Sequence, residues 1–192
     1  MENDIEKKAF SFIISKKSDK IEDKYYCETR DVFQARLDRM TNDLLKPGAL
    51  KEDDVYIITA IAGEIGNNSF DHNIGLWVGI KGVFFGYFFK NEELKIVLAD
   101  AGQGVYNTLK KVKPEIRNNR EALRVAFNER ISGRAPESRG NGLKFVKINI
   151  KDRGMNLRFI SGNAKIELNE LEKISEIDEN YQGCIAIINY KI

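Results

Sequence analysis

The nine residues Glu64-Ile65-Gly66-Asn67-Asn68-Ser69-Phe70-Asp71-His72 constrain this chain more than any other stretch. They follow Ile57, Ile58, Ile61 and Ala62, which recur at helical spacing, and a helix with that stripe buries it against a core. Glu64, Asn68 and His72 stand at i, i+4 and i+8, so they form one column that continues the side begun by Ile57 and Ile61. An inward column that changes from isoleucine to Glu, Asn and His predicts a helix that leaves the core and lines a pocket. The plainer reading is a helix end fraying into solvent, with His72 satisfying the last carbonyls at the negative end of the dipole.

At 192 residues, 42% hydrophobic and 31% charged, the chain is long enough for one sizeable core and short for two. A single domain over 1–192 is expected. Thirty-one Lys and Arg against 29 Asp and Glu leave a formal charge of +2, which gives no bulk drive toward nucleic acid or an anionic membrane. Cys27 and Cys184 lie far apart with no CxxC spacing, as two free thiols in a reducing compartment would. The first ten residues, MENDIEKKAF, are charged where a signal peptide needs an apolar run. No stretch approaches the ~18 apolar residues of a membrane helix, so a cytoplasmic location is expected.

Lys8 to Ile14 alternates and then runs apolar, which predicts a short edge strand, followed by the solvated KKSDKIEDK. Thr29 predicts a helix cap, with Val32, Phe33, Leu37, Met40 and Leu44 at helical spacing through about Leu45 and Pro47-Gly48 as its stop. The helix carrying Glu64 to His72 starts near Glu52-Asp53-Asp54, whose carboxylates suit the positive end of its dipole. LWVGI, VFFGYFF and LKIVLA then read as strands, the last ending in Asp100-Ala101-Gly102-Gln103-Gly104. Helical pieces are expected over Val105 to Lys111 and Arg120 to Arg130, interrupted at Lys113-Pro114. The basic loop SGRAPESR runs into Gly140-Asn141-Gly142-Leu143 and a helix, LKFVKINI. LRFIS, KIEL and CIAIINY close the chain as strands, with a polar, largely acidic connection from Asn169 to Gln182.

Singly, these glycine-containing segments are weak signals. Glycines after a strand most often make a turn needing positive φ, and GNGL can simply be a loop entering a helix. Its functional reading is that bare amides at a helix start bind phosphate oxygens. There is no GxxxxGK[ST], and Asn107 stands where a dinucleotide fingerprint wants its third glycine. One histidine and two distant cysteines make no ordinary zinc site, and no GxSxG elbow occurs.

Together and in order, the segments resemble the ATP-binding domain of the GHKL superfamily, the Bergerat fold of histidine-kinase-like ATPases. Glu64 to His72 is similar to its N box, E-x-x-x-N-A-x-x-H, with Ser69 in place of alanine; Asp100 to Gly104 is similar to the D-x-G-x-G box; and Arg139-Gly140-Asn141-Gly142-Leu143 resembles the G-x-G-L box. Gly183-Cys184 sits where Gly-Thr usually opens the last strand, which puts that hydroxyl contact in doubt. The resemblance spans roughly Lys51 to Tyr190.

It implies an α+β fold: a two-layer sandwich with a mixed, mostly antiparallel sheet covered on one face by helices. An N-terminal strand and helix over 1–50 would precede an ATP-binding core over 51–192, with a lid at about 105–139. It further implies ATP and Mg²⁺ as ligands. Asp100 would accept from the adenine amino group, with Gly102, Gly104 and Cys184 around the base, and Asn68 would be an oxygen ligand to Mg²⁺. Gly140, Asn141, Gly142 and Leu143 would form the phosphate loop, with Arg139 or Lys144 as charge partners. Glu64 would be either the general base or a structural carboxylate beside the metal.

The chain has no room for a transducer or middle domain and no phospho-accepting helix pair, so it is most similar to stand-alone anti-sigma-type serine/threonine kinases. The expected function is ATP hydrolysis or phosphoryl transfer to a hydroxyl of a partner protein. The alternative is a non-catalytic, nucleotide-gated module whose lid recruits a partner, and an α/β domain that binds no nucleotide is a third reading. A homodimer is compatible with the resemblance.

Overall fold

The computed structural model describes residues 2–15, 22–46, 50–129 and 142–191. In chain order these form α1 (Glu2–Ile14), β1 (Tyr26–Cys27), α2 (Arg30–Leu44), α3 (Glu52–Asn73), β2 (Val83–Lys90), β3 (Glu93–Asp100), α4 (Gly104–Lys110), α5 (Asn119–Asn128), α6 (Gly142–Asp152), β4 (Asn156–Leu168) and β5 (Glu172–Lys191). The strands make one sheet in the order β1-β2-β3-β5-β4. Every pairing is antiparallel, so the mixed sheet expected from the sequence is a purely antiparallel one among the described residues.

The two-residue period of the strands sorts their side chains between two cores. Phe85, Leu94, Ile96, Leu98, Leu157, Phe159, Ala186 and Ile188 face a helical layer that supplies Phe33, Leu37, Ile58, Ile61, Ile65, Leu123 and Val146. Phe84, Val97, Ala99, Ile160, Ile185 and Ile187 face the other way. The same parity that sends Leu94, Ile96 and Leu98 to the helical layer sends Asp100 there too.

The α+β sandwich expected from the sequence is the one observed, with one addition on its second face. Lys8 to Ile14 is helical rather than a strand: Ile5, Ala9, Phe12 and Ile13 recur at i, i+4, i+7 and i+8, and this stripe closes the second core. The alternation in AFSFII is too short to outweigh that longer period. Glu6 on α1 accepts from Lys95 on β3 at 2.6 Å and from Arg158 on β4 at 2.6 Å, pinning the helix to the sheet.

Other elements follow local chemistry. Thr29 caps α2 by accepting from the Val32 amide, as its position implied. The β2–β3 hairpin turns at Asn91 and Glu92, whose φ values of 53° and 61° match the right-handed twist of the strands. Leu76 to Ile80, expected as a strand, lies outside the sheet and is tied to it where the Gly79 amide donates to the Ala101 carbonyl at 2.9 Å. LRFIS and KIEL are one strand, β4, and most of the polar connection from Asn169 to Gln182 belongs to β5. That arm pairs Glu167 with Lys173 and Ile166 with Ile174, so its polar residues belong to an exposed hairpin. Pro47-Gly48, the 16–21 part of the linker and the SGRAPESR loop lie outside the described residues. No helix among the described residues is long and apolar enough to cross a membrane.

Candidate functional site

The polar end of α3 is brought against the carboxyl end of β3. Asp100, the last residue of β3, is only 3% exposed, and its carboxylate is held from three directions. Ser69 Oγ donates to Oδ2 at 2.8 Å, the Gly102 amide donates to Oδ1 at 2.9 Å, and Asn73 Nδ2 donates to Oδ1 at 3.3 Å. Burial raises the Asp100 carboxyl above the ordinary carboxylate range, and the three donors pull it back down by stabilising the charged form.

Ser69 and Asn73 stand four apart on α3 and belong to its buried face with Ile58, Ala62 and Ile65. Glu64, Asn68 and His72 form the neighbouring, half-buried column. The helix therefore does line the end of the sheet with polar groups, but the column that grips Asp100 is one position round from the column that the spacing singled out. Asn73 lies just beyond the Glu64 to His72 stretch and belongs to none of the motif boxes. The signal that identifies it is its i+4 relation to Ser69, the residue that departs from the alanine of the motif.

The loop after Asp100 is clamped on both sides. Asn73 Oδ1 accepts from the Gln103 amide at 2.9 Å, Gln103 Nε2 donates to the His72 carbonyl, and Gln182 Nε2 donates to the Gly102 carbonyl at 2.7 Å. Gly102 has no alternative here, because a Cβ would overlap the Asn73 amide. Gly104 opens α4 at a φ of 76°. Next to it, the Val105 amide donates to Ser161 Oγ at 3.0 Å, and Ser161, itself 1% exposed, donates to the Gly183 carbonyl at 3.1 Å.

Cys184 is the register partner of both Asp100 and Ser161. Burial, and then the Asp100 charge, holds its thiol well above the usual range, so it is a neutral thiol at physiological pH. Its Sγ donates to Ser161 Oγ at 3.6 Å. A hydroxyl is thus present at this strand end, supplied by β4 rather than by the position where the family motif carries threonine.

Glu64 faces the start of α6. A Cβ on Gly142 would overlap the Glu64 carboxylate, so glycine at that position is what admits the acid to the helix end. Leu143 is half-buried and packs on the main core, while Lys144 is exposed. Asn68, half-buried, stands one turn beyond Glu64. Arg139, Gly140, Asn141 and the 130–139 part of the expected lid lie outside the described residues. Of the residues singled out from the sequence, the fold thus gathers Asp100, Gly102, Gly104 and Cys184 at one end of the sheet, and sets Glu64 of α3 against Gly142 at the start of α6. No cluster of three His, Cys, Asp or Glu side chains among the described residues forms a metal site. Asn68, the expected magnesium ligand, is an amide and lies outside that kind of cluster.

The fold and this site define an α+β sandwich with a buried, hydrogen-bonded carboxylate where strand ends meet a polar helix end. No protein-family model matches the chain, and no curated protein matches it.

Proposed function

We propose that this chain is a Mg-ATP-binding domain of GHKL type that hydrolyses ATP or transfers its phosphoryl group to a hydroxyl of a partner protein. The observation that carries the reading is the buried Asp100 carboxylate. A buried charge at a strand end is costly unless it serves a ligand or a network. Oδ1 takes two donors and Oδ2 takes one, so Oδ2 is the oxygen with capacity for a further N–H, as an adenine amino group offers.

The second support is the meeting of Glu64 with Gly142, which brings the candidate base to the helix start where phosphate-binding amides are expected. ATP would supply the transferable phosphoryl group. Asp100 holds the base, Asn68 offers an amide oxygen to Mg²⁺, the amides from Gly140 to Leu143 take the phosphates, and Glu64 orients the attacking hydroxyl or water. Cytoplasmic location and action on a protein partner belong to the same proposal. Incubation with γ-labelled ATP, alone and with cell extract, is expected to give released phosphate or a labelled protein. Neither product, despite measured nucleotide binding, contradicts the catalytic part.

One feature favours the non-catalytic alternative. α4 and α5 build a small core of their own from Leu109, Ile116, Ala122 and Val125, so the segment after Gly104 has the makings of a unit that moves as one body. Under that reading, Mg-ATP slows hydrogen exchange across 105–129 without turnover. Unchanged exchange at saturating nucleotide counts against it.

A further inference from the structure

Independently of the nucleotide reading, we infer that the loop between α3 and β2 is a membrane-docking surface: Ile74, Leu76 and Val78 enter the apolar edge of a bilayer, while Lys81 and Lys111 meet anionic lipid headgroups.

The loop holds apolar side chains outward by its own backbone chemistry. Ile74 and Gly75 occupy the middle of a type II turn: Ile74 has a φ of −58° and a ψ of 117°, Gly75 has a φ of 70°, and the Leu76 amide donates to the Asn73 carbonyl at 2.9 Å. Beyond the turn, Trp77 lies edge-on to Phe70 of α3, with ring centres 6.2 Å apart, so its neighbours Leu76 and Val78 point the other way. The Gly79 amide donates to the Ala101 carbonyl at 2.9 Å, and Ile80 is buried in the second core. Both ends and the middle are thus fixed, yet Ile74 is 71% exposed, Leu76 47% and Val78 64%. No other five-residue stretch among the described residues exposes three large aliphatic side chains.

Cations border the loop. Lys81 is exposed directly after Ile80. Lys111 donates to Gln103 Oε1 at 2.7 Å, and Gln103 in turn donates to the His72 carbonyl, two residues before Ile74. Arg30 lies over the same Phe70 ring as Trp77 and pairs with Asp71. Glu28 approaches through its backbone at Gly82. Lys81, Lys111 and Arg30 against Asp71 and Glu28 leave this rim positive, a local pull that the formal charge of +2 over the whole chain does not supply.

A bilayer fits this surface better than a protein does. Three side chains offer on the order of a few hundred Å² of apolar surface, and even doubled by a second copy this falls short of the ~1,200 Å² that a stable protein interface buries. Aliphatic tips that project also give a partner side chain no groove to fill. A bilayer supplies its own apolar receptacle, takes side chains to a depth of ~5–10 Å, and attracts cations when it carries anionic lipid. Trp77, half-buried at the base of the loop, then falls at the level of the headgroups, where indole rings are favoured.

The test is co-sedimentation of the full chain with vesicles of phosphatidylcholine, alone or with about 30% phosphatidylserine. Wild type is expected to be half-bound at roughly 1 mM of the anionic lipid and to bind the neutral lipid several-fold less tightly. Ile74→Ser combined with Val78→Ser should weaken binding to both by about tenfold. Lys81→Gln combined with Lys111→Gln should remove the preference for anionic vesicles and leave neutral binding as it was. All four positions are exposed, so the variants should melt like wild type. Wild type that stays in the supernatant at about 5 mM anionic lipid overturns the inference. Undiminished binding by the serine variant does so too, because it places the contact elsewhere on the molecule. Self-association that the serine variant abolishes, without vesicle binding, makes the loop a contact between copies and overturns the membrane assignment.

Discussion

Replacing Asp100 by asparagine separates the fold from the proposed binding. The amide is nearly isosteric. Its oxygen can keep the bonds from Gly102 and Asn73, and its NH₂ then faces Ser69 Oγ. Ser69 can accept that proton while turning its own hydroxyl to the Ile65 carbonyl 3.4 Å away. Three hydrogen bonds change from charge-assisted to neutral, a loss of about 1 kcal/mol each. Against this, the cost of burying a charge, several kcal/mol for a carboxylate at 3% exposure, is removed. The two effects nearly cancel, so the ligand-free variant should lie within about 2 kcal/mol of wild type, a melting shift of less than about 8 °C. Binding should not survive so well. An N–H now points where the base would donate, and two facing donors cost roughly a hundredfold in affinity. Thermal denaturation without ligand and calorimetry with Mg-ADP measure the two halves. A variant that melts normally and binds ADP like wild type would refute the assignment of Asp100. A variant destabilised by more than about 4 kcal/mol would show that the carboxylate is a fold anchor whose burial needs no ligand to explain it.

Three further outcomes test the surrounding structure. Gly66→Ala should gain about 1 kcal/mol of helix propensity and lose more, because its methyl would overlap the ring of Phe33, which is 0% exposed and wedged against Phe70 and Phe85. A net loss of about 1–2 kcal/mol in urea unfolding is expected from overpacking, and a stabilised variant would contradict the α2–α3 contact. Glu6→Ala leaves Lys95 and Arg158 without their shared carboxylate. A loss of about 3 kcal/mol, with earlier hydrogen exchange in α1, is expected; wild-type stability would show that apolar packing alone holds the helix. Burial pushes the Cys27 thiol up to about 11 from an ordinary 9.0, so its proton is held more tightly in the folded chain than in the unfolded one. The resulting stabilisation is complete below the unfolded value and is lost as pH rises through 9 toward 11. Cys27→Ala should flatten that limb of the stability curve by about 2 kcal/mol relative to wild type, and parallel curves would contradict the shift.

What could be read from the chain depended on how local the governing physics was. Thr29, Glu52 and Lys113-Pro114 punctuate the helices through their own backbone chemistry, and β2 and β3 follow from aromatic and β-branched runs. Lys8 to Ile14 misled because the face it packs on is built from Val97, Ile160 and Ile187, which come much later in the sequence. The acidic arm of β5 escapes the sequence for a related reason: its pairing with β4 is set by hairpin register and by cross-strand pairs such as Glu167 with Lys173, not by an apolar alternation of its own. At the site, the order of acids and glycines was visible, but the groups that grip Asp100 were not. Ser69 looked like a minor departure from a motif, and Asn73 and Gln182 carry no pattern of their own. Only the fold places them at one strand end.

Calorimetric titration of the unmodified chain with ADP in the presence of Mg²⁺, with a melting curve at saturation, tests the central claim most directly. The account predicts one saturable site per chain and, at a hundred times the dissociation constant, a stabilisation of about 2.7 kcal/mol, or a melting rise of roughly 5–10 °C. Absence of both heat and melting shift at millimolar nucleotide would contradict it.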